Sequence, residues 1–269
     1  MRSSTETTLA VVMTIALLGL LVAAPCLTMV QTAAGQAVSP GGSRGLAAID
    51  AAARNGKYLF IFFWKQNDQQ SQDMYKVFQS AMDKWTDSAD WVSIPIADVK
   101  EKPVVDNFDV GRAPMPLVVA VAPNGAITKG IAVEFTEEQL QEAFVSPCTA
   151  KCMKALQDRK LVLLCVQNQQ TQFTQAALQG ARDFKADARF AAATEVVTID
   201  PSDAREASFL RALQVDSRTP MAVTVLLAPP GQPVAAFAGA VSKDEIVAKV
   251  EAGPCAGGQC GPGGCCPSK

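Results

Sequence analysis

Thiols are the side chains of this sequence that are best suited to chemistry. The chain has 269 residues, of which eight are cysteine and none is histidine. The lack of histidine removes the commonest general base, the commonest proton shuttle and every His-containing metal site. Clustered cysteines can exchange disulfides, form structural disulfides or bind soft metal ions, so their spacing decides which chemistry is open.

Four thiols lie in the last stretch of the chain, 253–269, at Cys255, Cys260, Cys265 and Cys266. Glycine and proline fill most of the space between them, so this stretch can bury little, and we predict a flexible tail unless the thiols staple it. Three roles stay open: disulfides within the tail or to another chain, capture of Zn²⁺ or Cu(I) as a cofactor, and an unstructured free-thiol tail. The spacing does not choose zinc over copper.

A second pair of thiols, Cys148 and Cys152, falls in a predicted helix that Ser146 caps and Pro147 opens. Cys148 then lies in the first turn, where the helix dipole lowers the pKa of a thiol. Cys152 lies one turn further on the same face, at a Cβ–Cβ separation of about 6 Å, which is too wide for a disulfide without local unwinding. A structural disulfide, either here after fraying or with another partner, a reactive thiol pair and a soft-metal clip remain as alternatives.

The amino-terminal segment predicts export. Residues 9–30 are almost entirely apolar, and no charged residue occurs from Thr7 to Ser43. Either residues 1–37 are a signal peptide cleaved at the small residues Ala33–Ala37, or residues 9–30 stay as a membrane anchor. In both cases the body would be periplasmic or held on the outer face of the cytoplasmic membrane, where disulfides are permitted.

Composition indicates a globular body with a partner other than nucleic acid. Apolar residues make up 49% of the chain and charged residues 19%, which is enough apolar content for a real core. The net charge of −2 gives no basic surface for nucleic acid. The expected partner is an unidentified protein or peptide.

The chain contains a duplication. Residues 58–64 read as a strand buried on both faces, because the run is short, apolar and without alternation. A polar loop and a helix over 69–85 follow it. The same pattern returns at Leu161–Val166, followed by a second amide-rich loop. Aligning the two loops places Cys165 at the position of Trp64.

Each copy has the predicted order α-β-α-β-α-β-β-α, which gives a mixed sheet with a final hairpin and helices on both faces. Three marks in the first copy are specific: the aromatic strand that ends in Trp64, the Met115-Pro116 step at the head of a later strand, and the Asn124-Gly125 turn. With these marks the sequence resembles a thioredoxin-like domain. The resemblance implies an α/β fold of two tandem thioredoxin-like domains, at 38–146 and 147–252. It also implies a cis peptide bond before Pro116, next to the loop that follows Trp64.

The chain departs from the thioredoxin pattern where the family carries its Cys-x-x-Cys dithiol. Positions 65–68 after Trp64 hold Lys, Gln, Asn and Asp, and positions 166–169 after Cys165 hold Val, Gln, Asn and Gln. Dithiol exchange is therefore excluded at both family positions, and Cys165 is expected to be a buried, inert thiol. The departure affects the activity and not the fold.

The leading hypothesis is therefore a redox-inactive binding or scaffold module rather than an enzyme. The amide-rich corner loops are open to two interpretations. They are either solvated loops that start a helix, or, as the resemblance implies, binding loops that hold an extended peptide in a groove beside a proline. The second interpretation involves Gln66, Asn67 and Pro116 in the first copy and Gln167, Asn168 and Pro220 in the second. Two alternatives stay open: a thiol-disulfide oxidoreductase that uses displaced cysteines (Cys148 and Cys152, or the tail), and a protein that handles zinc or copper.

Overall fold

The computed structural model describes residues 42–252. Two halves of the same plan, 42–146 and 147–252, each contain one four-stranded sheet. The first half contains α1 (Arg44–Asn55), β1 (Tyr58–Trp64), α2 (Gln69–Lys84), β2 (Ala89–Pro95), α3 (Lys102–Asn107), β3 (Leu117–Val121), β4 (Ile127–Ala132) and α4 (Glu137–Gln141). The second contains α5 (Pro147–Gln157), β5 (Leu161–Val166), α6 (Thr174–Ala186), β6 (Thr194–Ile199), α7 (Ala207–Ala212), β7 (Val223–Ala228), β8 (Gln232–Ala238) and α8 (Lys243–Ala252).

The two sheets have the same topology. Their strand orders are β2-β1-β3-β4 and β6-β5-β7-β8. The first two strands along the chain in each half are parallel, and the other neighbours are antiparallel. The predicted order of elements is confirmed in both halves. Two mixed sheets flanked by helices fit the two thioredoxin-like domains that the sequence predicted.

The central strand β1 explains why its sequence is apolar without alternation. Phe60 and Phe62 pack into the core under α2, and Ile61 and Phe63 pack into the core under α1 and α3. All four side chains are at most 2% exposed. Each face of this strand is therefore covered by helices, which is the arrangement that favours a continuous hydrophobic run.

The sequence Thr136-Glu137-Glu138-Gln139 predicts a capping box that opens a helix reaching Val145. The capping box is confirmed, but α4 is shorter than predicted and ends at Gln141. The Tyr58 hydroxyl donates to the Val145 carbonyl (2.8 Å) and accepts from the Val145 amide (3.1 Å). Because these two backbone groups bond to a side chain of β1, they are not available to continue the helix.

In each half, the carboxylate of one buried glutamate contacts the N-terminal turn of the first helix. The Glu101 carboxylate is 1% exposed and accepts bonds from the Ser43 hydroxyl (2.7 Å) and from the amides of Arg44 (2.9 Å) and Gly45 (3.1 Å). The Arg44 Nε also donates to it, at 3.3 Å. In the second half, Glu206 is 2% exposed and accepts from the Thr149 hydroxyl (2.9 Å). The Glu101 carboxylate thus pairs two amides that the N-terminus of α1 would otherwise leave unpaired, whereas Glu206 contacts the first turn of α5 through the Thr149 hydroxyl.

The halves contact each other through α5 and the β3–β4 hairpin. The Gln157 side chain accepts from the Ile127 amide (2.9 Å) and donates to the Ile127 carbonyl (2.7 Å). Ala122, Ala126 and Ala150 form a small buried cluster beside this pair. The start of β4, an edge strand of the first sheet, is therefore covered by the second half.

The predictions for the export segment and for the cysteine tail lie outside the described residues. Within residues 42–252, no helix is long and apolar enough to cross a membrane.

Candidate functional site

The corner after β1, residues 65–68, carries amide and charged side chains. Asp68 is the N-cap of α2, and its carboxylate accepts from the Ser71 amide at 2.8 Å. This hydrogen bond holds the Asp68 pKa below its ordinary value. Gln66 and Asn67 are exposed beside it. The corner therefore presents amide side chains and one fixed carboxylate, which can form hydrogen bonds but cannot transfer electrons.

A cavity of about 470 Å³ adjoins this corner between the sheet and α2. Phe62, Trp64 and Tyr75 give it aromatic walls, and its polar lining includes Asn67, Gln72 and Ser93. The Trp64 indole N–H donates to the Ser93 hydroxyl at 3.1 Å. Aromatic walls with a few polar groups are the usual composition of a site for an apolar group.

On the other side of the corner lies the Met115-Pro116 step. The predicted cis peptide bond before Pro116 is confirmed. The Pro116 carbonyl accepts from the Val133 amide at 2.7 Å. By contrast, the amide and the carbonyl of Met115 make no hydrogen bond within residues 42–252. The backbone of Met115 is therefore a free donor and acceptor pair next to the corner loop.

The second half has a matching step, and the hydrogen bonds give the register. The Ala222 carbonyl accepts from the Gly239 amide at 2.7 Å, as Pro116 does from Val133. Ala222 therefore corresponds to Pro116, and Met221 corresponds to Met115. The sequences agree, because Arg-Ala-Pro-Met-Pro at 112–116 matches Arg-Thr-Pro-Met-Ala at 218–222.

In the second half, the backbone groups of Met221 are already hydrogen-bonded within the chain. The Thr219 hydroxyl donates to the Met221 carbonyl (2.7 Å) and accepts from the Met221 amide (3.4 Å). The backbone amide of Gln172, in the corner loop, donates to the Pro220 carbonyl (2.9 Å), and the backbone carbonyl of Gln172 accepts from the Ala222 amide (2.8 Å). Two features of the first half differ: Ala113 has no hydroxyl in place of Thr219, and Pro116 has no amide N–H in place of Ala222.

Of the three residues predicted for the second corner, Asn168 through its side chain and Pro220 through its carbonyl form hydrogen bonds within the chain. Pro220 corresponds to Pro114 rather than to Pro116 and is not preceded by a cis bond. Asn168 donates to the Asp200 carboxylate (3.1 Å) and accepts from the Gln170 amide (2.9 Å). Gln167 is only 9% exposed, and its Oε1 accepts no hydrogen bond in the described part of the chain.

The predicted position of Cys165 was wrong by two residues. Cys165 pairs with Thr198 and Thr224, as Phe62 pairs with Ser93 and Val118, so it lies inside the strand. Gln167, rather than Cys165, takes the place of Trp64. The expected burial is confirmed, because Cys165 is 1% exposed and burial raises its pKa to about 11. The loop that follows Gln167, residues 168–173, contains no cysteine, so dithiol exchange at this corner stays excluded.

Cys148 and Cys152 share one unbroken helix and form no disulfide with each other. The prediction that the helix dipole lowers the Cys148 pKa was wrong. Burial and then the nearby Glu206 carboxylate raise the pKa of Cys148. Burial raises the pKa of Cys152 to about 12. Both thiols are therefore protonated near neutral pH, which disfavours nucleophilic exchange.

The reactivity of these two thiols gives a direct test. At pH 8 we expect Cys148 to react with iodoacetamide more slowly than free cysteine does, and Cys152 to react only on unfolding. Glu206→Gln removes the second-largest cause of the raised pKa, so it is expected to speed alkylation of Cys148 a few-fold. Mass spectrometry of the alkylated peptides over time measures both rates, and a Cys148 that reacts faster than free cysteine would contradict the assignment.

No group of three or more potential metal ligands occurs among the residues that the structure describes. A clip built on Cys148 and Cys152 alone would need further ligands from elsewhere. The tail cysteines Cys255, Cys260, Cys265 and Cys266 lie outside the described range, and zinc or copper binding there stays a prediction.

No protein-family model matches the sequence, and no curated protein matches it. Among solved structures, the germline-specific thioredoxin Deadhead of Drosophila melanogaster is 16% identical with a TM-score of 0.31, over 37% of this chain and 89% of its own. Oxidised thioredoxin O2 of Arabidopsis thaliana is 13% identical with a TM-score of 0.31, over 36% of this chain and 80% of its own. Oxidised thioredoxin of Plasmodium falciparum is 10% identical with a TM-score of 0.29, over 36% and 86%.

Proposed function

We propose that this chain is an exported, redox-inactive thioredoxin-like protein whose first half binds an extended peptide. The observation that carries the proposal is the contrast between Met115 and Met221. The backbone of Met115 has a free donor and a free acceptor, whereas Thr219 occupies both groups of Met221. A peptide in the extended conformation offers the matching acceptor and donor from one residue.

The surroundings of Met115 support the same role. Gln66 and Asn67 are exposed at the corner and can bond to further backbone groups of a peptide. The cavity behind Trp64 offers aromatic walls to one apolar side chain. The second half, whose matching step bonds to Thr219 and Gln172, acts in this proposal as a closed scaffold.

The proposal does not include redox catalysis at Cys148 and Cys152, because burial raises the pKa of both thiols. The roles of the flanking segments rest on the sequence alone. Export, with the body periplasmic or held at the outer face of the membrane, follows from residues 9–30, and tethering or zinc or copper capture is proposed for the tail.

The test uses one substitution in each half. Ala113→Thr gives the first half a hydroxyl at the position of Thr219, where it can bond to the amide and the carbonyl of Met115. We expect this variant to bind peptide on the order of tenfold more weakly, since two backbone hydrogen bonds to the peptide are lost. Thr219→Ala is the matched control. It is expected to leave the affinity of the first half unchanged, because the substitution lies in the other half. Binding to the Met221 groups that it frees would appear in the titration as a second site.

Reduced, carboxymethylated α-lactalbumin is a suitable probe, because it stays unfolded and offers many extended segments. Isothermal titration calorimetry with the full chain gives the affinity, and circular dichroism checks the fold of each variant. Gln66→Ala and Asn67→Ala are expected to weaken the same binding. If Ala113→Thr folds normally and binds like the wild type, Met115 is not the peptide contact and the proposal fails.

A further inference from the structure

The outer edge of β2 is open. In the described part of the chain, β2 pairs only with β1, and no strand pairs along its other side. The Tyr58 amide bonds to the Ser88 carbonyl, and the Ile96 amide bonds to the Trp64 carbonyl. In a parallel ladder this register turns residues 90, 92 and 94 toward β1 and residues 89, 91, 93 and 95 outward.

Few backbone groups on this edge are free, and those of Trp91 and Ser93 lie symmetrically about Val92. The outward amide of Ala89 already donates to the Trp85 carbonyl (2.8 Å). Pro95 has no amide N–H, and its carbonyl accepts from the Asp98 amide (3.1 Å). Only Trp91 and Ser93 keep both outward groups, and neither residue makes another backbone hydrogen bond within residues 42–252.

The side chains at this edge are complementary to each other. The Trp91 indole is 39% exposed and packs edge-on against Tyr75 and Phe78 of α2. Ser93 lies on the same face of the sheet, two residues further, and lines the aromatic cavity beside Trp64. An exposed indole and a cavity with aromatic walls thus stand side by side on one strand.

We propose that β2 pairs antiparallel with β2 of a second copy, about a two-fold axis at Val92. Trp91 of each copy then lies opposite Ser93 of the other, and the two pairs exchange four backbone hydrogen bonds. All four outward backbone groups of Trp91 and Ser93 are used on each edge, and the ladder ends at Ala89 and Pro95. The result is a continuous eight-stranded sheet across the dimer.

This pairing also completes the cavity. Residues directly opposite each other in an antiparallel pair share a face of the sheet. The Trp91 indole of the second copy therefore lies beside Ser93, at the mouth of the cavity with walls from Phe62 and Tyr75. On the other face, the half-buried Val92 meets its own copy across the axis.

A second copy of the chain is the expected partner, because the free backbone groups and the side chains of this edge are complementary to those of an identical edge. The free groups lie symmetrically about Val92, and the indole and the cavity repeat with the same symmetry. Charge does not oppose the pairing, since Asp90, which is the charged residue of β2, pairs with Lys57 of its own copy at 3.3 Å. The other edge strand, β4, is covered at its start by Gln157.

Sedimentation velocity of the full chain in mild detergent, with reductant present, tests the proposal. Reductant excludes disulfides through the tail as the link between copies. We expect a dimer that dissociates on dilution, and Ser93→Pro is expected to abolish it, because proline removes one free amide from each copy. Thr198→Pro is the matched control: Thr198 pairs with Cys165 as Ser93 pairs with Phe62, and its amide also faces outward. Proline is tolerated where an edge amide faces solvent, so both variants are expected to fold.

A cysteine at the axis tests the geometry independently of stability. Residues that face each other in a non-hydrogen-bonded antiparallel pair have Cα atoms about 4.5 Å apart, within the range of a disulfide. Val92→Cys is therefore expected to form a disulfide with its own copy on oxidation, found as a self-linked peptide by mass spectrometry. Val99→Cys, at an 83% exposed site, is the control that is not expected to link. A wild-type monomer at all concentrations, or a dimer that Ser93→Pro leaves intact, overturns the proposal.

Discussion

Gly180→Ala is expected to lower the free energy of unfolding by about 2–3 kcal/mol, although alanine is the better helix former. Gly180 lies in α6 where the helix touches the chain before α8. A Cβ atom there would stand 1.8 Å from the Val241 carbonyl oxygen and 2.8 Å from its carbon. Both atoms are backbone, so relief requires α6 and α8 to move apart, and the packing between them is lost.

Two optical probes separate the halves in this experiment. All three tryptophans, Trp64, Trp85 and Trp91, lie in the first half, so fluorescence follows that half alone. Circular dichroism follows the helices of both. During urea denaturation, Gly180→Ala should move the circular dichroism transition to lower urea. Gly130→Ala is the control, because no atom lies within 4 Å of its added Cβ. If Gly180→Ala proves as stable as that control, the close approach of the two helices is wrong.

Glu101→Ala is expected to cost about 3 kcal/mol in the free energy of unfolding of the first half. The substitution leaves the amides of Arg44 and Gly45 and the Ser43 hydroxyl without their acceptor. It also removes a negative charge from a helix N-terminus. The transition followed by tryptophan fluorescence should shift to lower urea, and Glu101→Gln, which keeps one acceptor oxygen, should shift it less.

Two comparisons test the role of Glu101: the alanine substitution of Glu206 in the second half, and the dependence of stability on pH. Glu206→Ala removes a carboxylate that accepts one hydrogen bond rather than four, so its effect should be smaller. Burial alone would raise the Glu101 pKa, but the bonds from Ser43, Gly45 and Arg44 hold it below the ordinary value of a glutamate. Its contribution to stability is therefore complete above the pKa of this group in the unfolded chain and is lost as the pH falls through the lower folded-state pKa. Equal costs for the two alanine variants at neutral pH would contradict this account.

The fold was predictable because the pattern of apolar residues and the helix-capping residues determine where its strands and helices begin. The unalternated run at 58–64 predicted a strand covered on both faces, and the Thr136 capping box marked the start of α4. The end of α4 was not predictable, because the hydroxyl that binds Val145 comes from Tyr58, in a distant strand. The raised pKa of Cys148 was not predictable for a similar reason, since burial and then the Glu206 carboxylate act on this thiol only in the folded chain.

The candidate site was half predictable. In the first half, Leu117 of β3 lies opposite Phe63 of β1, which places Pro116 at the end of β1 where the amide-rich loop begins. In the second half, matching the amide-rich loops gives the wrong register, because the two loops differ in length. The Arg-x-Pro-Met sequence at 112–115 and 218–221 would have given the correct register. That register identifies Ala222, rather than Pro220, as the counterpart of Pro116. The role of Gln172 could not be deduced, because it depends on a backbone contact between the loop and the step.

Alanine and threonine at 113 and 219 are one base apart in the genetic code, so a single point mutation interconverts an open and an occupied backbone at this step. Under the proposed function, the copy with alanine keeps its backbone groups available for a peptide, whereas the copy with threonine occupies its own. The residue at each of these two positions would then mark, in other chains with the same duplication, which copy binds a peptide.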